Sequence, residues 1–274
     1  RATITNMGTE LGATTSIFPS DEITREFLKK EGREEDYIPL CSDDDAEYDR
    51  IIDINLSELK PLLACPHSPD NVVEVESLHG TKVNQVCIGS CTNSSLDDLE
   101  SVAAIVKGKH IAPGVEAGIA PGSRTTILMA SKAGILETLF EAGFRILESA
   151  CGPCIGQGFA PNSEGVTLRT FNRNFKGRSG TADANVYLVS PETAAAAAIT
   201  GVFTEAEKLD YVDPAYVDGV RVSMLDGKDS RLSSEDVLAA AQNRGMMIAP
   251  LPLEEAQKVE ILRGPNIKPC PKCR

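Results

Sequence analysis

The sequence has no apolar run approaching the ~18–20 residues that cross a bilayer, so a membrane-spanning helix is excluded. It also lacks the basic segment and short apolar stretch of an export signal. Positive charge is scarce: 27 Lys+Arg stand against 40 Asp+Glu, for a net charge of −13. That is the wrong sign for gripping a nucleic-acid backbone over a broad surface. A local basic pocket for a small anion stays open. No internal repeat is found. Histidine is rare, with only His67, His79 and His110. All three fall outside the motifs described below and read as structural or surface residues.

What is present fits a globular chain. Hydrophobic residues make up 42% and charged residues 24%, which excludes wholesale disorder, collagen-like repeats and coiled coil. A length of 274 residues suits one large domain or two modest ones, enough to bury a core without cross-links. Much of the acidity is local, at residues 31–36 and 42–47, and reads as solvated surface.

Periodicity predicts an α/β chain with a parallel or mixed sheet. A helix is expected from Asp21, capped by Ser20, with Ile23, Phe27 and Leu28 on one face. Ile51 to Leu56 alternates apolar and polar residues and reads as a strand. The turn cluster Pro66, Pro69, Asp70 and Asn71 suggests a boundary near residue 75. Strands are then expected at Val83–Ile88, Phe144–Leu147 and Val186–Val189. Helices are expected at Leu96–Val106, Thr126–Phe140 and Pro191–Ile199, the last with Pro at its start. The expected organisation is residues 1–75, residues 76–250 and a Pro-rich, linker-like tail at 251–274.

Eight cysteines in a large chain without an export signal point to thiols kept for metal or catalysis. Cys151/Cys154 and Cys270/Cys273 are C-x-x-C pairs, a spacing that alone fits zinc, iron–sulfur or redox chemistry. Cys91 and the Cys151/Cys154 pair each follow an expected strand and lie in Gly-, Ser-, Asn- or Pro-rich loops. Strand ends on one sheet edge converge, so three thiolates can meet. Structural zinc and ferredoxin clusters usually take four protein ligands. Three invite a [4Fe–4S] cluster with one iron left open as a Lewis acid. A zinc scaffold using a further thiol, and an iron or redox sensor without catalysis, remain as other readings.

Four longer words select among these. Ser90-Cys91-Thr92-Asn93-Ser94-Ser95 and Ala150-Cys151-Gly152-Pro153-Cys154-Ile155-Gly156 resemble the cluster-binding signatures of the aconitase family. Asn172-Arg173-Asn174-Phe175-Lys176-Gly177-Arg178 resembles its substrate-arginine segment, and Asn6 to Pro19 its Asn/Glu segment. The resemblance covers essentially the whole chain, up to about residue 269. The resemblance implies three-layer αβα domains and a [4Fe–4S] cluster held by Cys91, Cys151 and Cys154. It implies substrate carboxylates on Arg173 and Arg178, and Asn6 and Asn172 beside the cluster. It also implies that Glu10 handles the leaving hydroxyl with a histidine partner. Gly-Ala-Thr-Thr-Ser-Ile-Phe-Pro at 12–19 is more similar to aconitase proper, so the expected reaction is citrate to isocitrate through cis-aconitate. Homoaconitase and isopropylmalate isomerase are the alternatives.

The resemblance implies two further regions, one carrying Asp/His pairs and one a swivelling domain with a serine base. Neither is in this sequence, so the chain reads as an internal piece that holds a cluster and does not turn over alone. Expected partners are a tricarboxylate and those remaining domains, with no nucleic acid or membrane. The expected compartment is the cytoplasm, or the mitochondrial matrix in a eukaryote. Cys270-Pro271-Lys272-Cys273 departs from the family's linker. It can bind metal, close a terminal disulfide or be inert.

Overall fold

A computed structural model describes residues 1–30 and 32–211. The expected tail and the Cys270/Cys273 pair lie outside the described residues.

The strands are β1 (Leu62–Ala64), β2 (Val72–Glu74), β3 (Gln85–Gly89), β4 (Glu116–Ala120), β5 (Arg145–Ile146), β6 (Val166–Arg169) and β7 (Asn185–Leu188). They form one sheet in the order β2-β1-β7-β6-β3-β4-β5. The five strands from β7 to β5 are mutually parallel, whereas β1 runs antiparallel to both β2 and β7. Strands on either side of residue 75 thus share a single mixed sheet. The helices are α1 (Ala2–Asn6), α2 (Glu22–Lys30), α3 (Leu96–Val106), α4 (Arg124–Lys132), α5 (Ile135–Ala142) and α6 (Pro191–Thr200). This is the α/β class expected from the sequence. No helix among the described residues is long and apolar enough to cross a membrane.

Side chains alternate across the central strand, as a two-residue period requires. Val86 and Ile88 join Leu99, Val102, Leu139 and the alanines of α6 in the main core. Cys87, between them, points to the other face and packs with Phe159 and Phe171. One face of the sheet is therefore floored by α3, α5 and α6. The opposite face is covered by the segment that carries Cys151, Cys154 and Phe159. Gly118 in β4 makes room for that segment, since a Cβ there would stand 2.9 Å from the Phe159 ring.

Helix starts follow their caps. Ser95 and Asp98 form a reciprocal capping box at α3, which has the bounds expected from the sequence. Ser190 accepts from Thr193 N at 3.1 Å, with Pro191 opening α6. Three expectations are corrected. Ser20 does not cap α2: its hydroxyl donates to Ile38 O and accepts from Leu40 N, while Asp21 takes the Thr24 N–H at 3.0 Å. The helix expected over Thr126–Phe140 is two helices, because Gly134 adopts φ +75° and starts a new turn. Ile51 to Leu56 is not a strand; Ile51, Ile52, Ile54 and Leu56 are all exposed. Alternation marks a face for burial but does not supply the neighbouring strand that makes a ladder.

The topology places the site. The chain leaves β3 toward β4 and β5 on one side, then crosses back to β6 and β7 on the other. The carboxyl ends of β3 and β6 thus flank a switch in strand order, where open α/β sheets form ligand crevices.

Candidate active site

Cys91 leaves the carboxyl end of β3 through two residues with positive φ, Gly89 (+125°) and Ser90 (+79°). The first must be glycine, because a Cβ would run into the Ala120 carbonyl of the neighbouring strand. Ser90 pays backbone strain of a kind that clusters at functional sites. Its N–H reaches Ala120 O at 2.9 Å, and its carbonyl accepts from Ser94 Oγ. This turn lifts Cys91 to the surface, where its thiol is exposed.

Next to it, β6 runs out into Thr170-Phe171-Asn172-Arg173. Thr170 ties the two exits together. Its Oγ1 accepts from Gly89 N at 2.8 Å, and its carbonyl accepts from Asn93 Nδ2 at 2.7 Å. The Cys91 loop and the Asn172/Arg173 segment therefore hold their spacing through short bonds to one threonine.

Cys151 and Cys154 follow β5. Pro153–Ile155 makes one 3-10 turn, closed by Gly156 at φ +85°. Gln157 N and Ile155 N both bond to Gly152 O, at 2.8 and 3.1 Å. Cys151 is exposed and Cys154 half-buried. The Cys154 thiol is pushed up from its ordinary value, first by burial and then by the charges of Cys151 and Cys91. Arg178 and Arg169 oppose that rise. All three thiols thus belong to one electrostatic neighbourhood with two permanent cations.

The first helix brings the remaining residues. Asn6 ends α1 and its Nδ2 lies 3.7 Å from Cys91 Sγ. Asn172 Nδ2 donates to Asn6 Oδ1. Glu10 pairs with Arg173, which donates through Nε to Glu10 Oε1. The Glu10 carboxylate is only 7% exposed, against 42% for Arg173. Among the described residues its second oxygen, Oε2, is buried with no hydrogen-bond partner. An orphaned buried carboxylate oxygen is costly unless something else occupies its site. Arg178 sits over the Phe175 ring at 5.6 Å. All eight residues singled out from the sequence are therefore linked at one edge of the sheet, through Asn6–Cys91, Asn6–Asn172, Glu10–Arg173 and the Cys154 neighbourhood. Among the described residues Glu10 has arginine, not histidine, as its partner.

Among the described residues no three His, Cys, Asp or Glu side chains are grouped as ligands of a single metal ion. A four-iron cube is bulkier than one ion, and thiols on its corners stand further apart. The donor set fits such a cluster: three thiols, an amide donor against one sulfur, and nearby cations to offset thiolate charge.

Sequence reading missed Arg169, Gln85, Thr170 and Cys87. Arg169 is fully buried in β6, and burial lowers its guanidinium pKa. Cys87 lies beside it in register, its thiol pushed up to about 12 mainly by burial. The available signal was a charged residue closing a strand of otherwise uncharged residues, which demands an explanation on desolvation grounds. The thiol gradient gives an expected result. In the metal-free chain at mildly alkaline pH, Cys91 and Cys151 should alkylate first, Cys154 later and Cys87 last, because the exposed thiolate is the nucleophile. Peptide mapping by mass spectrometry reads the order. Equal rates for Cys87 and Cys91 would contradict it.

Comparison with known proteins gives the family. The model of the aconitase family (aconitate hydratase) matches residues 1–80 and 76–201. The chain is similar to 3-isopropylmalate dehydratase large subunit 2 of Archaeoglobus fulgidus. The two are 46% identical over 207 residues, covering 75% of this chain and 50% of that protein. It is similar to the probable methanogen homoaconitase large subunit of Methanosarcina mazei, 46% identical over 211 residues, with 76% and 53% coverage. A third relative is 3-isopropylmalate dehydratase large subunit 1 of Thermotoga maritima, 45% identical over 214 residues, with 76% and 50% coverage. The chain spans about half the length of these relatives.

Proposed function

Because this chain belongs to the aconitase family, we propose that it is the cluster- and substrate-binding part of a hydro-lyase that removes and restores water on a hydroxylated polycarboxylic acid. The substrate is of the isopropylmalate or homoaconitate type. The sequence word at 12–19 favoured citrate. The relatives carry other names, isopropylmalate dehydratase and homoaconitase, and that moves the reading to the longer or branched acids. Those names also say large subunit, so a smaller companion chain is the expected partner.

Cys91, Cys151 and Cys154 would hold a [4Fe–4S] cluster, which supplies an open iron as Lewis acid for the substrate's hydroxyl and carboxylate. The chain's own residues do the rest. Arg173 is engaged by Glu10 through Nε, and its two Nη groups remain to grip a carboxylate. Arg178 brings a second permanent charge, kept in place over Phe175. Asn6 and Asn172 fix each other and set the amide beside Cys91. Glu10 presents Oε2 as the group that gives a proton to the departing hydroxyl oxygen and takes it back on rehydration.

The observation that carries this reading is the continuous link Cys91–Asn6–Asn172 beside the Glu10–Arg173 pair, in which a thiol, two amides, an acid and a cation come together. Anaerobic reconstitution with iron and sulfide tests it. The chain should take up about four irons with a visible chromophore near ~400 nm, and Cys151→Ser should abolish both. Stoichiometric zinc without a chromophore would support the scaffold reading instead. The loaded chain should show no turnover alone, because the resemblance assigns the carbon base to a serine outside this sequence. Turnover by the pure chain would overturn that. With the companion parts supplied, isopropylmalate and homoaconitate should be processed ahead of citrate.

A further inference from the structure

A buried arginine with no anion in direct contact is an expensive element, since its desolvation must be offset by something nearby. Arg169 is 0% exposed. Among the described residues its guanidinium makes four hydrogen bonds, all to neutral oxygens. Nη1 donates to Pro153 O at 2.6 Å, and Nη2 to Gln85 Oε1 and Phe159 O, each at 2.8 Å. Nε donates to Thr167 Oγ1 at 3.3 Å. Its Cζ lies 5.4 Å from the centroid of the Phe171 ring. The nearest carboxylate in this chain of bonds is Glu116, reached only through Gln85, whose Nε2 donates to Glu116 Oε2 at 3.1 Å. Two of the four acceptors, Pro153 O and Phe159 O, belong to the segment that carries Cys154. Pro153 is the residue immediately before that thiol, and its carbonyl also takes the Gly156 N–H that closes the turn.

We infer that Arg169 is a positioning residue for the Cys151/Cys154 loop, pinning Pro153 and Phe159 to the sheet and setting a permanent positive charge behind the Cys154 thiolate. The inference rests on the cluster reading given above. The missing counter-charge is then the bound cluster itself: binding deprotonates the thiols, and the resulting negative charge sits across the loop from the guanidinium. Two consequences separate. The fork of hydrogen bonds fixes loop geometry and so slows loss of iron. The charge stabilises the more negative, reduced form and so raises the midpoint potential. A lysine at 169 would keep the charge and lose the fork, and a glutamine would lose both the charge and most of the fork.

The test compares wild type, Arg169→Lys and Arg169→Gln, each reconstituted anaerobically in the 274-residue chain. Iron per chain, iron release to a chelator and midpoint potential by spectroelectrochemistry are measured, with far-UV circular dichroism to check folding. Both variants should release iron several-fold faster than wild type. Only Arg169→Gln should shift the potential downward, while Arg169→Lys stays with wild type. Folded variants with wild-type release and wild-type potential would overturn the inference. If Arg169→Gln does not fold, Arg169→Lys decides alone: unchanged iron release overturns it, and faster release at unchanged potential supports it. A wild-type chain that takes up no iron and sulfide overturns the cluster reading and this inference with it. A wild type that loads normally beside indistinguishable variants overturns only this one.

Discussion

In the assembled enzyme, Glu10→Gln is expected to lower kcat by about 10²–10⁴-fold, the span a positioned acid or base contributes, with iron content unchanged. Glutamine is nearly isosteric with glutamate. Its amide oxygen can still accept from Arg173 Nε, so the arginine that this carboxylate steadies should hold its place. The amide cannot carry the proton, and its NH2 would stand where the unpartnered Oε2 now lies. The loss should therefore fall on kcat far more than on KM. Steady-state kinetics with parallel iron analysis reads this. A kcat within threefold of wild type would remove Glu10 from the chemistry and leave it as the support of Arg173 alone.

The second large effect concerns structure. Gly156→Ala is expected to destabilise the chain by about 2–5 kcal/mol, from about 1–2 for a side chain at positive φ and about 1–3 for overpacking. The φ is +85°, and a Cβ would run into the Ser179 carbonyl. This is backbone against backbone, so no side-chain rotation relieves it. The contact joins the Cys154 turn to the segment that carries Arg178, so prising it open should also speed iron release and weaken carboxylate binding. Gly158→Ala is the control. Its φ is +74° but, among the described residues, nothing lies within 4 Å of a Cβ, so it should show the backbone cost alone. Denaturant midpoints and iron-release rates would compare the two. Equal losses would mean that the Ser179 contact is not a constraint.

Legibility in the sequence followed how local each cause is. Helix α3 was readable to the residue, because its helical spacing is coded within its own eleven positions. Helix α6 was readable for the same reason. The Ile51–Leu56 strand failed because a ladder needs a neighbour that alternation does not encode. Strand β6 passed unread because Thr167 and Arg169 break its apolar run. Their reason for being polar, the cysteine-bearing segment packed on that face, lies in the fold. The candidate residues stood in recognisable words, and the topology brought those words to one edge. The choice among acids was not legible: under the proposed function Arg173 and Arg178 offer charge to any carboxylate.

Cys91 and Arg173 leave two strands that are direct neighbours, and parallel strands stand about 4.8 Å apart whatever side chains they carry. Under the proposed function the sheet acts as a ruler. The spacing of the two backbone exits that lead to Cys91 and Arg173 is set by the sheet and held by Thr170. Acids handled here must share that one gap between the hydroxyl-bearing end and a carboxylate, and they are free to differ in every other substituent. A lineage can then change its substrate by rebuilding the far wall of the pocket while the measuring edge stays as it is.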